Sequence, residues 1–120
     1  MVYASTSLAL AAMELFVHLE PNLLPDDLLA TAATLPEGEP ALRLQPESLP
    51  PDWWTDNFDP LRKIGDRWIS EKTSLAMAVP SAAVRMDWNV LVNPLHPGIA
   101  SVKIEPSQPF HFDARMFRRP

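Results

Sequence analysis

A mixed α+β domain is the fold class this sequence predicts, and three observations predict it. Hydrophobic residues make up 47% of the 120-residue chain, enough for one modest core, while the length leaves no room for a second. Fourteen prolines, more than twice the usual share of about 5%, cut the chain into short pieces and exclude long helices. Between them, two stretches carry helix start signals followed by apolar residues at helical spacing, and several others read as short strands. Residues 1–120 are expected to form a single domain with a mixed β-sheet core and a few short helices.

In chain order, residues 1–4 (Met-Val-Tyr-Ala) read as the tail of a strand. Ser5 or Thr6 is expected to cap a helix reaching His18, because either hydroxyl can accept from a free first-turn N–H. Leu8, Ala12, Leu15 and Leu19 would form its buried stripe, and Pro21 would end it. A turn at Pro25-Asp26-Asp27 leads to a strand over Leu28 to Leu35, whose alanines give it weak β propensity. Residues 36–40 make a second turn, and Ala41 to Leu44 a short strand. An irregular loop over 45–58 holds Trp53-Trp54, an apolar pair that must pack down as a lid or meet a partner.

The clearest start signal follows. Asp59 is a good N-cap and Pro60 suits the first helical position. Leu61, Ile64 and Trp68 then share one face, Gly65 allows close approach of a neighbour, and the helix should run to about Ser70. Leu75 to Val79 reads as a buried strand, with Trp88 to Val92 and Ser101 to Glu105 as further strands. In the last of these Val102 and Ile104 alternate. Phe110 and Phe112 alternate in a final short strand before a basic tail of Arg115, Arg118 and Arg119.

Composition removes several function classes. Without cysteine there is neither a disulfide framework nor a thiolate zinc site, and the three histidines are too scattered for a ligand set, so no metal is expected. A net charge of −5 argues against direct nucleic-acid binding. The Ala- and Leu-rich start is not a signal peptide, since no Lys or Arg precedes Arg43 and Glu14 interrupts the apolar run. No stretch approaches the length of a membrane span, and the cytoplasm is the expected compartment. A homo-oligomer is compatible with all of this.

Glu14 is the candidate with the sharpest chemistry. It is the only Asp, Glu, Lys or Arg among the first nineteen residues, and it sits in a helix apolar on every side. Two readings are open: a carboxylate solvated at a helix edge, or a buried one that needs an Arg, a hydrogen-bond network or a ligand hydroxyl. His18, one turn on, could hold it in place. Ser81, after a strand and a proline, either closes a turn or points into a cleft. Tyr3 either fills the core or stacks on a ligand ring. Asn89 and Asn93 read as residues that tie loop backbone together.

Taken together, VYASTSLALAAMELFVHL (2–19), VPSAAV (79–84), WNVLVNPLHP (88–97) and PFHFD (109–113) resemble the RES domain family, in order and over nearly the whole chain. The resemblance implies a fold similar to the ADP-ribosyltransferases, with a cleft for NAD. It implies the toxin of a bacterial toxin–antitoxin pair, which depletes NAD by hydrolysis or phosphorolysis, and an Xre-type helix-turn-helix antitoxin as partner. NAD is then the substrate, with no separate cofactor. Glu14 matches the family glutamate, Ser81 the family serine and Tyr3 the tyrosine of the Tyr-Ala-Ser segment. The implied roles are charge stabilisation or ribose binding for Glu14, donation to the nicotinamide amide or a phosphate for Ser81, and ring stacking for Tyr3. One departure stands out. Family members carry a segment before Tyr-Ala-Ser that holds the naming arginine and a Gly-Gly-Arg-Trp-Asn-like loop, whereas here Met1 directly precedes Val2. The domain is therefore expected to be incomplete at its N-terminus, and a catalytically inactive remnant that only binds an antitoxin is the alternative.

Overall fold

The computed structural model describes residues 1–20, 23–55 and 59–117. Pro21, the end of the 45–58 loop, the side chain of Asp59, and Arg118 and Arg119 lie outside that description. The architecture is α+β. Strands β1 (Val2–Ser5), β4 (Leu42–Arg43), β5 (Ala76–Pro80) and β6 (Trp88–Val92) form a four-stranded sheet in the order β1-β6-β5-β4. The first two pairings are antiparallel and β4 joins β5 in parallel, so the sheet is mixed. Helices α1 (Leu8–Phe16) and α2 (Asp59–Glu71) complete the frame. No described helix is long and apolar enough to cross a membrane.

Strand alternation assigns the two sheet faces. Ala76, Val90 and Val92 lie on one, where they form a core cluster with Leu75 and receive Leu35 and Val102. Met77 and Leu91 lie on the other, under Trp68 of α2. Trp68 is 4% exposed, and its indole N–H donates to Ser74 Oγ at 3.0 Å, which satisfies the one polar group of a large buried ring. Asn93, fully buried, ties the same helix to the sheet. Its amide donates to the Ile69 carbonyl while its oxygen accepts from the Leu95 N–H, each at 3.0 Å. A Cβ at Gly65 would stand 3.1 Å from the Met1 methyl, so the glycine does permit the expected close approach.

Several local expectations are corrected. Ser7, not Ser5 or Thr6, caps α1: its hydroxyl accepts from the Leu10 N–H at 3.1 Å, because Ser5 still belongs to β1. The helix closes at Phe16 rather than His18. Its buried residue is Leu10, whereas Leu8 and Leu15 of the expected stripe are exposed. The stretch Leu28 to Leu35 is not one strand. It makes two short pairings, β2 (Leu29–Ala30) with β8 (Gln108–Pro109) and β3 (Ala33–Thr34) with β7 (Lys103–Ile104). The expected alternation of Val102 with Ile104 does not hold, because β7 is only Lys103–Ile104: Val102, which precedes it, packs against the core, and Ile104 is exposed. The final strand falls just before Phe110, and the phenylalanines instead join Phe16 and Phe117 in an aromatic cluster with centroids 5.1–6.0 Å apart.

Candidate functional site

Ser81 begins the path to the site. Pro80 pairs with Trp88 at the last rung of the β5–β6 ladder, and the Ser81 N–H then donates to the Asp87 carbonyl at 2.9 Å. The intervening residues turn back as a tight loop, closed further by Asp87 N–H on the Val84 carbonyl. Strand alternation aims Ser81 and Asn89 to the same face as Met77 and Leu91, but at the opposite end from Asn93. Ser81 is completely buried.

Glu14 meets both of them. Its Oε1 accepts from Ser81 Oγ at 2.5 Å and from Asn89 Nδ2 at 2.7 Å. Asn89 Oδ1 in turn accepts from Ser5 Oγ at 2.6 Å, its cross-strand neighbour in β1. The Ser81 oxygen also accepts from the Val84 N–H at 3.0 Å. One network therefore runs from the end of β1 through β6 and α1 to the loop after β5. Hydrogen bonds to a charged acceptor each contribute about 1.5–3 kcal/mol. The pair at Glu14 fixes one carboxylate oxygen, and Oε2 receives no hydrogen bond from any described residue.

Of the two readings of Glu14, the structure shows a half-buried carboxylate inside a hydrogen-bond network. His18 does not hold it; that side chain is exposed, and both described donors come from the sheet side. Of the two readings of Ser81, the structure shows the turn: its hydroxyl accepts from the Val84 N–H, and at a completely buried position it donates to Glu14. Tyr3 does not fill the core. It is 75% exposed on the edge strand, opposite Leu91 and two residues from Ser5, on the same sheet face as the network.

Asn89 was expected to tie loop backbone, and only Asn93 does so. The signal for Asn89 lay in the alternation of Trp88-Asn89-Val90-Leu91-Val92, which gives the amide the same face as Leu91. Ser5, paired with Asn89 in the same register, serves the network rather than the helix cap. The tryptophan pair packs down in part: Trp53 is buried, and Trp54, edge-on to it, is 40% exposed with the Arg85 guanidinium 4.4 Å above its ring centre. A cavity of about 460 Å³ lies on the other side of α1, between Leu8, Ala12, Met13 and Phe110, Phe112, Met116, and takes in none of the three residues.

The sequence matches the RES domain over residues 1–113. This chain belongs to the RES domain family. Among curated RES-related proteins, it is 30% identical over 133 aligned residues to the Prs ADP-ribosylating toxin of Sphingobium sp., covering 98% of this chain and 75% of that one. It is 34% identical over 118 residues to Toxin Res of Pseudomonas putida, covering 97% and 79%. Toxin Res of Yersinia enterocolitica is 29% identical over 118 residues, covering 96% and 76%.

Proposed function

We propose that this RES domain is the toxin of a toxin–antitoxin pair and that it consumes NAD by breaking the bond between nicotinamide and ribose. The observation that carries the reading is the Glu14 carboxylate, gripped through one oxygen by Ser81 and Asn89 on the sheet face that also carries the exposed Tyr3. The names of the relatives, an ADP-ribosylating toxin and two Res toxins, support it.

In such a cleavage the electron pair of the C1′–N bond leaves with nicotinamide and neutralises its pyridinium charge. Positive charge then develops at C1′ and the ring oxygen, as in glycoside cleavage. Glu14 Oε2 supplies fixed negative charge or accepts a ribose hydroxyl, and an orientation set before the reaction costs nothing during it. Ser81 acts on Glu14 rather than on the nucleotide, because a hydroxyl has one proton to donate and Glu14 receives it. Tyr3 stacks on the nicotinamide or adenine ring. The acceptor of the ADP-ribosyl group is water, phosphate or a protein nucleophile. An Xre-type helix-turn-helix antitoxin would inhibit by covering this open end of the sheet.

The test is expression in a bacterial host with NAD and its products followed by mass spectrometry. Growth arrest with falling NAD is expected, reversed by Glu14→Gln. Arrest with NAD undiminished would overturn the reading.

A further inference from the structure

The diphosphate of a dinucleotide needs positive charge near the cluster. Neither β1 nor α1 supplies any, since the first Lys or Arg is Arg43. Arg43 has its guanidinium 4.6 Å above the Trp88 ring, and strand alternation puts Trp88 on the sheet face opposite Asn89. Arg67 and Arg115 are engaged with Glu71 and Asp113. Arg85 differs from these. It sits in the loop between Ser81 and Asp87, directly after Val84, whose N–H lies 3.0 Å from Ser81 Oγ. The Ser81–Asp87 and Asp87–Val84 main-chain bonds, both 2.9 Å, give that loop a fixed shape. The Arg85 guanidinium lies over the Trp54 ring, 4.4 Å from the ring centre.

We propose that Arg85, stacked on Trp54 and carried by the Ser81 loop, binds the diphosphate of the nucleotide whose ribose meets Glu14. This deepens the NAD-cleaving reading and rests on it for the identity of the ligand. Stacking uses the face of the guanidinium and leaves its edge, with paired N–H donors, for phosphate oxygens. It also holds the side chain in place before the ligand arrives, so less rotamer freedom is lost on binding. Trp54 acts as a positioning residue through Arg85. The preferred ligands are pyridine nucleotides that carry a diphosphate; nicotinamide riboside, which has no phosphate, gains nothing from Arg85.

The test measures calorimetric binding of ADP-ribose and steady-state nicotinamide release, with wild type, Arg85→Gln, Arg85→Lys and Trp54→Ala. Loss of a charge-assisted contact should weaken ADP-ribose binding and raise KM for NAD by about 10- to 100-fold. The loss should fall on KM rather than kcat, lysine should recover part of it, and nicotinamide riboside cleavage should suffer far less. Trp54→Ala should produce a smaller loss of the same kind. Arg85→Gln binding ADP-ribose as wild type does, or losing both substrates equally, overturns the assignment, as does a wild type that binds no ADP-ribose. Arg85-dependent ADP-ribose binding without nicotinamide release would keep this site and sink the cleavage reading. Nicotinamide release with an unchanged KM in Arg85→Gln would do the reverse.

Discussion

Asn89→Asp is the substitution that most sharply probes the network. Aspartate keeps the size of the side chain and the acceptor for Ser5 Oγ, but it replaces the amide donor, 2.7 Å from Glu14 Oε1, with a second carboxylate oxygen. Two carboxylates with charge centres about 4 Å apart repel by about 4 kcal/mol at an effective dielectric constant near 20. Glu14 is only half-buried, so water screens the pair, and about 2 kcal/mol of destabilisation is expected at neutral pH. For a chain of this length that lowers Tm by roughly 6–10 °C. The sign with pH follows from linkage. Mutual repulsion makes the variant pair bind a proton more readily folded than unfolded, so the deficit is small below the ordinary carboxylate range and grows as pH rises through it. Thermal melts of variant and wild type at pH 7 and about pH 4 measure this, with Asn89→Ala as a control that loses the donor to Glu14 without adding a charge, so that its deficit grows with pH in the same direction but by less. A variant that melts with wild type at pH 7, or whose deficit is equal at both pH values, would refute an amide facing the Glu14 carboxylate.

Three other outcomes are expected. Ser81→Ala removes a donor to Glu14 and an acceptor for Val84 at a fully buried position, and should cost about 1–3 kcal/mol in urea unfolding. Trp68→Phe deletes the indole N–H bonded to Ser74 and part of a buried ring, and should cost about 1–3 kcal/mol by the same measurement. Arg115 holds the Asp113 carboxyl below its usual range through side-chain and main-chain hydrogen bonds. In Arg115→Gln an NMR titration should move it upward, since the contact favours the folded state above the ordinary carboxylate range and fades as pH falls through the lowered value.

Those features that local chemistry dictates were legible in the sequence. Proline frequency and alternating apolar runs were enough for a mixed sheet with short helices, and Trp88 to Val92 falls on β6 residue for residue. Glu14 and Ser81 could be singled out because each interrupts its surroundings, a lone carboxylate in an apolar helix and a hydroxyl after a strand-ending proline. Their meeting across 67 positions could not be read, because it depends on how α1 crosses the sheet. Asn89 was missed for a related reason: its role follows from pairing with Ser5, and register is a tertiary property that neither strand encodes alone. The apolar stripe of α1 misled because Leu8 and Leu15 share a helical face that the described chain leaves open, while Leu10 and Glu14 share the face that is covered. The split of Leu28 to Leu35 into two pairings likewise reflects two different partner strands from the C-terminal region.

Nicotinamide release from NAD by the purified chain, compared with Glu14→Gln, bears most directly on the role given to the carboxylate. Glutamine keeps an acceptor for Ser81 and Asn89 but carries no charge, so the fold should survive while kcat falls by about 10²- to 10³-fold. A glutamine variant as fast as wild type, or a wild type that releases no nicotinamide, would contradict it.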